Sequence, residues 1–248
     1  MRKLLLACAT LWLSALPVAA QTADEIIAKY LKTIGGPARV EAVKSIRRTG
    51  KLTGGGGFEA VVVQENKRAE FVREEFTFQG MTGVNAFDGK TGWKIEPWGG
   101  KKDVETLSEE ELKSMTEDAD FDGPLVNYQQ KGHQVEFIGK DDVEGTECLK
   151  LKVTRKNGDV SIYFMDTDYF VPIKIETKRM VRGAEQESET SLGDYKEVAG
   201  VYWPYSVESG LKGSPNKSQI TYEKIEVNVA LDDSRFHKPV AKAQGGKQ

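Results

Sequence analysis

Between Ser45 and Val229, apolar and polar residues alternate with period two, and clusters of turn residues interrupt the alternation at near-regular spacing. Period two sends successive side chains to opposite faces of an extended backbone, so such a chain folds into antiparallel strands with one buried face. The pattern is clearest at Phe58-Glu59-Ala60, Val135-Glu136-Phe137, Leu149-Lys150-Leu151-Lys152-Val153, Val160-Ser161-Ile162-Tyr163-Phe164 and Val171-Pro172-Ile173-Lys174-Ile175. Asp88-Gly89, Asn157-Gly158 and Val198 to Gly200 mark connections, and Asn157-Gly158 predicts a type I′ hairpin. About eleven or twelve strands result, more than a flat sheet normally holds without curling. The expected fold class is mainly β: a strongly curved antiparallel sheet, or unclosed β-barrel, covered by helices.

Helical signals are confined to the N-terminus and the middle of the chain. Thr22-Ala23-Asp24-Glu25 reads as a capping box, followed by Ile26, Ile27, Tyr30, Leu31 and Ile34 on one face. Gly35-Gly36-Pro37 ends that helix, and a shorter amphipathic turn runs through Val40 and Val43. The mid-chain helix spans Ser108 to Glu117, with Ser108 as its cap and Glu109 to Glu111 at the positive end of its dipole.

Met1-Arg2-Lys3, an apolar run from Leu4 to Leu16 and small residues at Val18-Ala19-Ala20 form a secretory signal peptide. The run is about thirteen residues, short of the roughly 20 that a membrane-crossing helix needs. Cys8 precedes most of that run, which is the wrong place for a lipid-attachment cysteine. The organisation read is a signal peptide at 1–20, one domain at 21–240 and a disordered polar tail at 241–248, with the mature chain outside the cytoplasm and not transmembrane.

Thirty-five Lys and Arg face 38 Asp and Glu, and cleavage removes two of the cations, which argues against nucleic acid or an anionic lipid surface as an electrostatic partner. Cys148 alone survives cleavage, so no intramolecular disulfide forms, and its strand-like setting reads as packing and not as a nucleophile. The two histidines, His133 and His237, lie in different regions, without HExxH, GxSxG or CxxC. Glu74-Glu75 and Glu109-Glu110-Glu111 read as solvated acids. Gly54 to Gly57 precede a strand, not a helix, and so read as a hairpin tip instead of a phosphate loop. Asp118-Ala119-Asp120-Phe121-Asp122-Gly123 is similar to the first half of a calcium loop, but Gln129 stands where the bidentate Glu belongs, so it reads as an acidic loop. No metal, cofactor or enzymatic activity is expected.

Several motifs together resemble one family. Asp122-Gly123-Pro124-Leu125, Lys131-Gly132-His133 with Val135-Glu136, Gly145-Thr146 with Leu149-Lys150-Leu151, Asn157-Gly158-Asp159, and Gly193-Asp194-Tyr195-Lys196 with Gly200-Val201 and Trp203-Pro204 are similar to the outer-membrane lipoprotein-sorting (LolA-like) superfamily over roughly Ala23 to Pro239. The resemblance implies an unclosed barrel with a helical lid, a periplasmic location, and carriage of the acyl chains of lipoproteins or lipids by a monomer that meets membrane-associated transport machinery. It also implies an arginine that holds the lid, for which Arg47, Arg48, Arg68 and Arg73 lie in early strands and none matches the motif.

An acyl chain moved into an apolar half-barrel gains about 0.8 kcal/mol per methylene, so about fifteen methylenes gain roughly 12 kcal/mol. The alternation nominates Phe58, Ala60, Val62, Phe76, Phe78, Val135, Phe137, Leu149, Leu151, Val153, Ile162, Phe164, Ile173 and Ile175 as the lining. It does not distinguish a hollow barrel from one filled by these side chains. Two other readings stay open: a regulatory or adaptor domain of the same fold that binds a protein partner along a sheet edge, and a hydrolase whose active site is assembled from distant residues.

Overall fold

The computed structural model describes residues 22–68, 70–100, 103–181 and 183–239. The signal peptide read at 1–20, Cys8 within it and the tail read at 241–248 lie outside these residues.

Thirteen strands form one antiparallel sheet: β1 (Ser45–Gly54), β2 (Phe58–Lys67), β3 (Phe71–Phe78), β4 (Met81–Asp88), β5 (Gly92–Ile95), β6 (Glu105–Thr106), β7 (Gln134–Val143), β8 (Thr146–Thr154), β9 (Val160–Asp166), β10 (Pro172–Val181), β11 (Ala184–Val198), β12 (Val201–Leu211) and β13 (Lys217–Val227). Their order is β6-β5-β4-β3-β2-β1-β13-β12-β11-β10-β9-β8-β7, so β6 and β7 are unpaired edges and the curved sheet does not close. The two residues of β6 are too few to show a period in the sequence.

Three helices cover one face: α1 (Ala23–Thr33), α2 (Pro37–Ala42) and α3 (Glu109–Ala119). Thr22 and Glu25 close a capping box on α1, and Ser108 and Glu111 close another on α3. Ile26 and Ile27 of α1 pack on Leu149, Leu151, Val153, Tyr163 and Met165. Val40 and Val43 join Ile46, Val201, Trp203 and Ile225. Met115 and Ala119 of α3 meet Val72 and Phe87.

Contacts at the end of α3 report the curl of the sheet. Asn66 on β2 donates to the Asp118 carbonyl at 2.8 Å, and Arg179 on β10 reaches the adjacent Glu117 at 2.7 Å. Four strands separate β2 from β10, a distance of about 24 Å on a flat sheet. A single helix end touches both because the sheet bends around it.

Gly35 fixes the joint between α1 and α2. Its φ is 119°, and a Cβ there would stand 2.0 Å from the Gly200 carbonyl oxygen, so glycine alone lets the joint dock on the β11–β12 turn. The β8–β9 connection differs from the expected type I′ turn. The Gly158 amide bonds the Arg155 carbonyl at 2.9 Å, the Arg155 amide bonds the Asp159 carbonyl at 2.8 Å, and Gly158 has positive φ while Asn157 does not. This is the three-residue loop with a glycine bulge.

The outer face carries the C-terminal segment. Phe236 is fully buried and its carbonyl accepts from Trp93 Nε1 at 2.7 Å, while the buried Glu65 carboxylate is held by Arg47 and Arg235, each at 2.8 Å.

Candidate ligand-binding site

Strand register decides which side chains share the helical face. Leu52 pairs with Ala60, Arg48 with Gln64 and Ile46 with Asn66; across the next pair Val62 meets Phe76 and Gln64 meets Glu74. Ala60, Val62, Phe76 and Phe78 therefore lie on the same face as α3, at the strand ends farthest from α1. There Leu52, Phe58, Phe76, Phe78, Ile95 and Trp98 line a cavity of about 450 Å³, within the usual range for small-molecule sites. Phe58 and Trp98 are 38% and 40% exposed and stand at its mouth, with the Phe58 ring tilted against that of Phe78, centroids 4.8 Å apart. Gly83 leaves the room: a Cβ there would sit 3.0 Å from the Trp98 ring.

Ala60 and Val62 are buried in β2 and do not line this cavity, and the other expected lining residues fall in two places. Val135, Phe137, Leu149, Leu151, Val153 and Ile175 are on the helical face, but they pack around α1 and line none of the cavity. Ile162, Phe164 and Ile173 are on the outer face, where they floor a groove of about 720 Å³ edged by Lys174, Glu176 and Lys217. The inward residues of β9 are instead Tyr163 and Met165, because Tyr163 pairs with Leu151 and Ile175. β9 carries apolar residues at both parities, so alternation alone does not set its phase. Ile173 sits at a bulge between Pro172 and Lys174, which breaks its phase with Ile175. Sequence reasoning missed Leu52, Ile95 and Trp98. Leu52 does alternate, but Trp98 lies in a short turn that gives no periodic signal.

A polar row crosses the helical face below the cavity. Arg48, Gln64, Glu74, Asn85 and Lys94 are register partners on β1 through β5. The Tyr222 hydroxyl donates to Gln64, whose amide donates to Glu74 at 2.8 Å; Arg48 donates to Asn66 at 3.0 Å and Lys94 to Glu111 of α3 at 2.6 Å. Desolvation pushes the Glu74 carboxyl above its usual range, against the pull of Gln64 and Arg48. Asp118, exposed near the C-terminal end of α3, is pushed up to about 7 by desolvation and then by the Glu74 and Glu117 charges.

Of the four early arginines, Arg68 bonds the helical cover. It donates to the Val43 and Val40 carbonyls at 2.7 and 2.9 Å and grips Asp122 at 2.6 and 3.0 Å. Lys131 likewise holds both Asp120 oxygens at 2.6 and 2.8 Å. Two of the three carboxylates that drew comparison with a calcium loop, Asp120 and Asp122, are thus ion-paired to side chains, and among the described residues Asp118 is not. Cys148 is fully buried in β8 and desolvation raises its thiol pKa, the reverse of an activated nucleophile.

No protein-family model matches the chain, and no curated protein matches its sequence. Solved structures do match. A protein assigned as an outer membrane lipoprotein-sorting domain from Vibrio parahaemolyticus aligns with a TM-score of 0.58 at 12% identity, covering 86% of this chain and 95% of the other. A LolA superfamily protein from Nitrosomonas europaea aligns at 0.57 and 15% identity, covering 88% and 99%. The fold is that of the LolA superfamily. A DUF1329 family protein from Desulfovibrio piger shares this LolA-like fold at 0.57 and 11% identity, covering 86% and 96%. Among the described residues no helix is long and apolar enough to cross a membrane.

Proposed function

We propose that the protein is a periplasmic binding or carrier protein for acyl-bearing cargo, a lipoprotein or a lipid, delivered to its compartment by the leader at 1–20. The observation that carries this reading is the aromatic cavity on the helical face, open at its mouth and walled by Leu52, Phe58, Phe76, Phe78 and Trp98. Each methylene buried there gains about 0.8 kcal/mol, close to its gain in a bilayer, so a chain enters and leaves with small net change in free energy. The LolA-like fold supports the same reading. The cluster around α1 is already filled by the protein's own side chains, so the rim cavity, and not the whole half-barrel, holds the chain.

The test is native mass spectrometry of protein purified from a periplasm without detergent, beside a Phe76→Asp variant checked by circular dichroism. Discrete added masses that extract as lipid or lipopeptide, absent from the folded variant, are expected. A bare wild-type mass together with no uptake of a fluorescent fatty acid would overturn the proposal.

A further inference from the structure

The helical face of β1 to β5 is striped, and the stripes are amphiphilic. Val62 and Phe76 lie two residues above the polar row, and Ile46, Val72 and Phe87 two residues below it. The lower stripe is covered by α2 and α3, while in the upper one Phe76 opens on the cavity. Asn85 belongs to both the row and the cavity, and its carboxamide has no hydrogen-bond partner among the described residues. A wall built only for hydrocarbon would not place an unpaired amide there, because an unmet polar group costs free energy against an apolar ligand.

Most charges around the row are already paired: Lys94, at its β5 end, is held by Glu111 at 2.6 Å and Glu96 at 3.3 Å. Glu117 is covered by two guanidinium groups, Arg179 at 2.7 Å and Arg155 at 3.7 Å. Among the described residues, neither Glu74 nor Asp118 has a cation within ion-pair distance, nor has Arg48 a carboxylate. Arg48 stacks on Trp203, its ring centroid 5.6 Å away, and donates to Asn66. The row therefore leaves without an ion-pair partner one acid, Glu74 on β3, and one guanidinium, Arg48 two strands away on β1, about 10 Å along the sheet. A bare carboxylate entering beside Glu74 meets like charge.

Resting on the carrier reading above, we propose that the cargo is an amphiphile with a zwitterionic, ammonium-bearing head, its chain in the aromatic cavity and its ammonium toward Glu74 and Asp118. The anionic part of the head faces Arg48, and Asn85 supplies the remaining hydrogen bonds.

The test compares 1-palmitoyl-lysophosphatidylethanolamine with palmitate, by displacement of a fluorescent acyl probe from delipidated protein. At least tenfold tighter binding of the zwitterion is expected, falling to threefold or less in Glu74→Gln and in Asn85→Leu, each checked by circular dichroism. The outer-face variant Ile162→Ala keeps the full preference. Palmitate bound as tightly as the zwitterion, or a preference untouched by both head-site variants, would overturn this inference and leave the carrier standing. Failure of both lipids and the probe to bind would remove the carrier reading and the inference with it.

Discussion

The two ends of the helical face are made from the same alternating sequence and end in opposite states. Beneath α1, Leu149, Leu151 and Val153 are almost completely buried against Ile26 and Ile27. At the far ends of β1 to β4, Phe58, Phe76 and Phe78 face an open cavity, and Phe58 is 38% exposed. What differs is the cover. α1 supplies side chains to fill the first end, and nothing of the chain fills the second. Apolar area left open beside a polar row is the kind of surface that marks a binding site, whereas a filled end contributes to stability.

The largest expected effect separates the two ends directly. Leu151→Ala leaves a void in a close-packed cluster and is expected to cost about 3 kcal/mol in urea denaturation. Phe78→Ala, at the cavity, is expected to cost less than about 1 kcal/mol because water already reaches the site, while weakening an acyl probe about tenfold. If Phe78→Ala unfolds the protein as readily as Leu151→Ala, the cavity is part of the core and the contrast between the ends fails.

A smaller effect is expected at the joint between cover and sheet. Arg68→Ala removes a donor from each of the two α2-end carbonyls and leaves Asp122, which is 10% exposed, without its guanidinium. The expected cost is about 2 kcal/mol, with faster amide exchange in α2 than in α1. Equal exchange in both helices would show that Arg68 stabilises the fold without pinning the cover locally.

Capping boxes are local, so Thr22-Glu25 and Ser108-Glu111 announce α1 and α3 before any tertiary contact is known. Period two announces the strands, because it depends only on the backbone. The face that a strand presents is legible where one parity is polar, as in Leu149-Lys150-Leu151-Lys152-Val153. It is lost in β9, where both parities are apolar, and at Ile173, where a bulge resets the phase. Which apolar residues line a cavity and which fill a core depends on where α1 and α3 come to rest, and no period in the strands encodes that. The polar row was hidden for a related reason: Arg48, Gln64, Glu74, Asn85 and Lys94 look like solvated positions until register aligns them across five strands.

The most delicate prediction asks whether the open end is truly enclosed around Asp118. Its carboxyl is pushed up to about 7 in the folded protein and titrates near 3.9, approximately, when unfolded. Below about pH 4 both states hold the proton and the group makes no difference. Between roughly 4 and 7 the unfolded chain gives up its proton first, so stability drains as pH rises, and above about 7 the penalty is complete. Asp118→Asn removes the titration. The variant's melting temperature relative to wild type should therefore rise from pH 4 to pH 8. A carboxylate on an ordinary solvated helix surface would leave that difference unchanged with pH. A flat profile would then mean that water, not protein, surrounds the polar row, and the head site would lose the low-dielectric setting that makes its charges discriminate.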